Sequence, residues 1–253
     1  MILQILLEVD GLLRCGRIDD ASCIERLYTE ESLTQNRHQF AFVVAGLRER
    51  LRSGASVQGQ ALTVNDLAGE FGVSATPVRE ALARLAGEGL VEDRRGSGYF
   101  AWRMDVSDLT DLYRAQETLT LAALGTLVRC AAGSVAPTSG CSLPMATTGT
   151  PVALSEGAVD GLLFWEGLTS RVAREAGHRF LLGAQQRLAD RLAPARRMEA
   201  MVRLEEVDDR RVLADHVDRR AWGPLSIDIL PFFARRCAAA GAIVDKLRAA
   251  PLF

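Results

Sequence analysis

Apolar residues recur at helical spacing along most of this chain, and one short interval breaks the rhythm. From about Arg37, Phe40, Val43, Val44, Leu47 and Leu51 mark one face of a helix, and Gly54 follows as a stop. After a polar link, Thr63 is placed to cap a second helix reaching about Phe71, with Asp66 following in capping-box fashion. A third helix is predicted from about Ser74 to Glu88, where Gly87 and Gly89 end it. The rhythm then changes. Leu90–Asp93 and Tyr99–Trp102 read as two short strands around a basic, glycine-rich tip, Arg94-Arg95-Gly96-Ser97-Gly98.

From Ser107 onwards the pattern is helical again. Leu109, Leu112, Leu119, Ala123 and Leu127 mark one helix, and others are predicted around residues 160–176, 179–198, 199–221 and 225–249. Residues 133–158 are rich in Gly, Ser, Thr and Pro, which predicts a long surface loop. The expected fold is therefore mainly α. Residues 1–35 form an N-terminal extension and residues 36–104 a winged helix-turn-helix with a small β-hairpin wing. Residues 105–253 form an all-helical bundle for effector binding or dimerisation.

The central interval meets the steric demands of two helices crossing over a tight turn. Ala68 supplies the small residue at the crossing, Gly72 the residue able to take φ > 0, and Val78 the β-branched plug. Leu67, Phe71, Val73 and Leu82 complete a shared core. Ser74 or Thr76 can cap the helix that follows, and Pro77 is tolerated in its first turn because no intrahelical donor is lost there. Opposite Val78, that helix would show Ala75, Thr76 and Arg79 to solvent. Arg79 can reach a guanine edge with two hydrogen bonds or clamp a phosphate. In the hairpin, Gly96 and Gly98 allow close approach to a sugar-phosphate chain, and Arg94 and Arg95 supply charge for it or for a minor groove. Gly96 to Ala101 also match G-x-G-x-x-A, but strand residues follow where a dinucleotide fingerprint needs a helix.

Charge agrees with that placement. The whole chain of 253 residues carries a formal net charge of −2, with 48% hydrophobic and 25% charged residues, an ordinary soluble profile. Residues 36–104 alone are net positive, with nine Arg against seven acidic residues. The five cysteines are scattered without a C-x-x-C pair, which argues against a disulfide framework or a thiolate zinc site and fits a reducing cytoplasm. The opening MILQILLEVDGLL lacks a basic start and carries Glu8 and Asp10, so neither a membrane span nor a signal peptide is expected.

The string GVSATPVREALARLAGEGLVEDRRGSGYFA closely resembles the recognition helix and wing of the GntR family of bacterial transcription regulators. The resemblance covers roughly residues 36–104. It extends more weakly to Asp108–Leu121, which resembles the FadR-type subfamily with its FCD ligand-binding domain. It implies a homodimer on a palindromic double-stranded DNA operator, released or rearranged by a small carboxylate. It also implies that Ser74, Thr76, Arg79 and Gly96, Ser97 and Gly98 contact the DNA. Ala75 departs from the family, which often has an arginine there.

The family's metal centre, an aspartate and three histidines, is not matched. Trp165 stands where one histidine would be, Gly161 where the aspartate would be, and Arg211 and Phe233 at the other histidine positions. The chain has three histidines in all, and His38 precedes the DNA-binding unit. Asp160, His178 and His216 could form only a substitute site, so neither metal nor other cofactor is expected. Gln116 also stands where the family has Arg. With no nucleophile elbow, phosphate loop or S-x-x-K motif, the chain is not expected to be an enzyme. The leading expectation is a homodimeric repressor controlled by a small metabolite without a metal, with Arg171, Arg174 or Arg203 as candidate carboxylate partners. The alternative is a regulator whose helical half only dimerises.

Overall fold

A computed structural model of the chain describes residues 21–54, 58–133, 161–202, 204 and 207–249. The predicted loop at 133–158, apart from Gly133, lies outside the described residues, as do Asp160, Arg203 and residues 1–20. The described chain is mainly helical. Helices α1 (Ala21–Ser53), α2 (Val64–Phe71) and α3 (Ala75–Gly87) precede the strands β1 (Val91–Arg94) and β2 (Gly98–Ala101). Helices α4 (Val106–Ala131), α5 (Gly161–Glu175), α6 (Arg179–Val202), α7 (Val207–Asp218), α8 (Trp222–Asp228) and α9 (Leu230–Ala249) complete it.

Three differences from the sequence expectation have local causes. The first helix begins at Ala21 rather than near Arg37, because residues 21–36 contain neither Gly nor Pro, and three Glu and two Leu among them favour helix. It ends as predicted, with Gly54 in the left-handed region at φ 75°. Thr63 is the N-cap residue of α2, but its side chain makes no capping hydrogen bond. The capping box lies instead at α4, where Asp105 accepts from the Asp108 N–H and Asp108 accepts from the Asp105 N–H. Finally, α6 runs through Pro194 to Val202, absorbing residues 199–202, whose Glu, Ala and Met favour helix.

The N-terminal elements enclose one core. Val43 and Leu47 of α1, Leu67 of α2, and Val78, Ala81, Leu82 and Leu85 of α3 are buried together with Leu62, Leu90 and Val91. Phe40, Leu51, Ala68 and Phe71 pack around it. The hairpin is antiparallel, pairing Val91 with Ala101 and Arg94 with Gly98. A segment that reads as a polar link in the sequence lies along its outer edge. Ala61 bridges Phe100, the Leu62 N–H donates to the Tyr99 carbonyl at 2.7 Å, and Gly59 donates to Ala101 at 2.8 Å. The wing is thus held by backbone bonds on both sides of β2.

In the helical half, α4 packs against α6 and α9, and α5 against α6. One apolar cluster joins Leu124, Leu168, Val172, Leu213, Phe232 and Phe233 around Trp165. A second joins Met104, Leu109, Tyr113, Leu192 and Ile243. No helix among the described residues is long and apolar enough to cross a membrane.

Replacing Leu82, which is wholly buried between α1, α2 and β1, by Ala should cost about 2–5 kcal/mol of folding free energy. Chemical denaturation followed by circular dichroism measures it. A loss under about 1 kcal/mol would show that this core is not shared as described.

Candidate nucleic-acid interface

The turn between α2 and α3 is built by Gly72. Its φ of 65° is left-handed, and its N–H donates to the Ala68 carbonyl, as does the Val73 N–H at 3.1 Å. A Cβ at this position would meet nothing within 4 Å, so the demand is conformational rather than spatial. The turn sets α3 on α2 with Pro77 and Val78 inward, Val78 fully buried. The opposite face of α3 is exposed along Thr76, Arg79, Glu80, Ala83 and Arg84. These are the side chains a major groove would meet.

Ser74 is the N-cap residue of α3 in extended conformation, yet its side chain makes no capping bond. The hydroxyl and the first N–H groups of α3 therefore remain available to an outside acceptor, a phosphate oxygen being the chemical match. Arg79 is exposed and has no hydrogen bond or ion pair among the described residues. Arg84, by contrast, is committed to Glu88 at 3.1 Å.

The wing separates its two arginines. Arg94 donates to Glu92 through Nε at 2.9 Å and Nη2 at 2.7 Å, and its guanidinium lies 4.2 Å from the Phe100 ring centroid. That hydrogen bond holds the Glu92 carboxyl below its ordinary value, helped by the Arg103 N–H. Arg95 is exposed and makes no such pair among the described residues. The tip closes with the Ser97 N–H donating to the Arg94 carbonyl at 2.8 Å, while Gly96 and Gly98 take φ of 78° and 93°. All eight sequence-derived candidates therefore lie on the α3 N-terminus and the wing tip. Seven are unencumbered; Arg94 is tied down.

Of the candidate metal ligands, Asp160 lies outside the described residues. His178 is exposed, and His216 faces Asp228 at 2.7 Å. Among the described residues no group of three His, Cys, Asp or Glu could hold an ion. Trp165 and Phe233 are buried core residues, with Trp165 stacked on Phe232 at 3.2 Å between centroids. Arg211 faces solvent. Nor do the sequence-derived carboxylate partners reach the interior. Arg171 pairs with Asp218 at 2.7 Å on the surface, and Arg174 is exposed.

The sequence reading missed two other groups of arginines. Arg196 and Arg236 are buried inside the helical half, 3% and 1% exposed. Helical phase could have found the first, since Gln185, Ala189, Leu192, Arg196 and Glu199 share one face of α6. The second group joins the two halves. Arg48 of α1 donates to Glu88 at 2.6 Å and to Asp190, and Arg52 donates to Asp190 at 2.6 Å and to both oxygens of Glu166. Arg191 of α6 stacks 4.3 Å from the centroid of Trp102, just beyond the wing.

The exposed recognition helix, its open N-terminus and the pinned wing define a winged helix-turn-helix. Residues 40–100 match the model of the bacterial regulatory proteins, gntR family, so this segment is similar to the module that defines it. The chain is also 40% identical over 81 residues to an HTH-type transcriptional regulator in an unstable DNA locus of Streptomyces ambofaciens. That match covers 32% of this chain and 34% of the relative, so the chain spans about a third of the curated relative's length. A transcriptional regulator GntR from Rhodococcus sp. RHA1 superposes with a TM-score of 0.58 at 16% identity. It covers 82% of this chain and 98% of its own, so the shared fold extends through the helical half.

If the wing contacts DNA, Arg95→Ala should weaken duplex binding more than Arg94→Ala, because Arg94 is already engaged by Glu92 and Phe100. Fluorescence anisotropy with a retained duplex ranks the two. Equal losses, or the reverse order, would show that Arg94 leaves Glu92 on binding.

Proposed function

We propose that this chain is a sequence-specific DNA-binding transcriptional regulator of the gntR type. Its helical half is a small-metabolite sensor that works without a metal. The observation that carries the DNA reading is the exposed stripe of Thr76 and Arg79 beside an uncapped helix N-terminus. An α-helix presented this way fits a major groove, with backbone N–H groups on phosphate and Arg79 on a base edge. Ser74, Thr76, Arg79, Arg95, Gly96, Ser97 and Gly98 are the assigned contacts, with Arg94 as a support for the wing. One module reads only a few base pairs, so a homodimer on a palindrome supplies the rest of the site. The two recognition helices would then lie about 34 Å apart in successive major grooves.

Repression follows if the bound dimer occludes a promoter, and a metabolite would relieve it. The bonds between Arg48, Arg52, Asp190 and Glu166 give the helical half a physical grip on the module. The buried polar centre on α6 favours a ligand-responsive bundle over one that only dimerises. The FadR-type character of that bundle rests on the Asp108–Leu121 resemblance alone.

The test is to sequence genomic fragments retained by the purified protein and to footprint the strongest. Two protected half-sites about one helical turn apart are expected, with sedimentation showing a dimer on the duplex. Arg79→Ala should cost about 1–3 kcal/mol on that site. Failure to retain any duplex at low ionic strength would overturn the proposal, and near-unchanged binding of the Arg79 variant would remove that residue from the contacts.

A further inference from the structure

The winged helix-turn-helix is held to the helical half at two places. Among the described residues its own apolar core draws on residues 40–99 alone. At the first place, Asp190 of α6 accepts from two arginines of α1, from Arg48 and from Arg52, the latter at 2.6 Å. Arg52 also donates to both oxygens of Glu166 on α5, at 2.7 and 2.8 Å. Further along α6, Arg197 donates to the Arg52 carbonyl at 3.2 Å. An open cleft of about 420 Å³ lies beside these pairs, bordered by Val44, Arg48, Arg84 and Asp190, so charge rather than packed apolar side chains spans this gap. At the second place, the connection from β2 to α4, residues 102–105, is pinned along its length. Arg191 stacks 4.3 Å from the Trp102 centroid, the Arg103 N–H donates to Glu92 at 3.2 Å, and the Met104 N–H donates to Gln58 at 3.3 Å. Asp105 is held in the capping box of α4.

A body fixed at two places cannot turn about either one. We propose that Asp190 is a positioning residue that sets the separation and mutual rotation at which two copies of the winged helix-turn-helix meet DNA. The spacing between half-sites is then read at the α1–α6 junction, by groups that touch neither base nor phosphate. This rests on the DNA-binding homodimer proposed above. Asp190 carries the role because it is shared. Without its charge, Arg48 keeps only Glu88, on its own side of the junction, and Arg52 keeps only Glu166. One charged pair is then left across the gap, a pivot where there had been a brace. Neither arginine is stranded by the change, since each retains a carboxylate, so both halves keep their fold. Each base pair added between half-sites moves the second by about 3.4 Å and turns it by about 35° around the duplex. A braced pair of modules matches one such geometry, whereas a pivoting pair accommodates several.

The experiment uses the full chain and the strongest footprinted duplex, with the spacer between half-sites lengthened or shortened by one and two base pairs. A further duplex carries a single half-site. Fluorescence anisotropy gives each affinity, and sedimentation gives the stoichiometry. The parent should bind the duplexes shifted by two base pairs at least about 30-fold more weakly than the unshifted one. Asp190→Asn should bind all spacings within about threefold of one another, while matching the parent on the single half-site. If Asp190→Asn does not fold by circular dichroism, Arg52→Gln cuts the junction from the other side, and the same flattening is expected. A parent whose affinity is flat across the spacings overturns the proposal and leaves the regulatory function standing. A folded variant that keeps the parent's steep dependence also overturns it. So does one that weakens equally on every duplex, half-site included, because that marks a general loss of binding. A parent that occupies its site as a monomer removes the homodimer and this inference together, and one that retains no duplex removes the regulatory function as well.

Discussion

The fork geometry of two arginines on α1 is the constraint on which the arrangement depends. Arg48 and Arg52 lie on the helix that also contributes Val43 and Leu47 to the core of the winged helix-turn-helix. Each spreads its guanidinium between two carboxylates, Arg48 between Glu88 and Asp190, Arg52 between Asp190 and Glu166. Asp190 is thus shared. A lysine at either place could offer a point charge but not two donors in fixed directions, so the angle between α1 and α6 would be set less firmly. These pairs are partly buried, with side chains 14–25% exposed, which strengthens them relative to surface pairs and ties the recognition helix to the bundle.

α6 acts as the spine that meets this grip. One face carries Gln185, Arg196 and Glu199 into the interior, and another presents Asp190, Arg191 and Arg197 towards the module and its wing. Pro194 sits between them and removes the N–H that would have bonded the Asp190 carbonyl. A shift of the inner face has a short route to α1. The Trp165–Phe232 stack, with Arg236 lying 3.3 Å from the Phe232 centroid, fills one end of the bundle core. Aromatic packing and a buried Tyr113–Glu199–Arg236 network link α4, α5, α6 and α9. Burial, reinforced by Glu199, raises the Tyr113 pKa well above its ordinary value, so the hydroxyl stays a donor at any physiological pH.

What the sequence made legible was what short-range sterics control. Ala68, Gly72 and Val78 specify a helix-turn-helix within eleven residues, and the alternation from Leu90 to Trp102 specifies a hairpin. Both signals survive because no distant partner is needed to read them. The edge segment at 59–62 carries no periodicity of its own; it is extended only because β2 offers it free backbone groups. The capping box at Thr63 failed for a related reason. The signature T-x-x-D fixes spacing but not side-chain direction, and the capping box forms instead at a D-x-x-D pair, Asp105 and Asp108. Least legible were the long-range charges. Arg48 and Asp190 are 142 residues apart, and on a helical wheel each looks like an ordinary solvated face.

Partial burial of the α1–α6 pairs also decides how the molecule answers to ionic strength. Counterions screen exposed charge far more than sheltered charge, and contacts to a polyanion weaken as its condensed cations return. Arg79 and Arg95 face solvent, whereas the Asp190 junction does not. A rise in salt therefore screens the charge that Arg79 and Arg95 present to solvent before it loosens the junction behind them, and α1 and α6 stay joined.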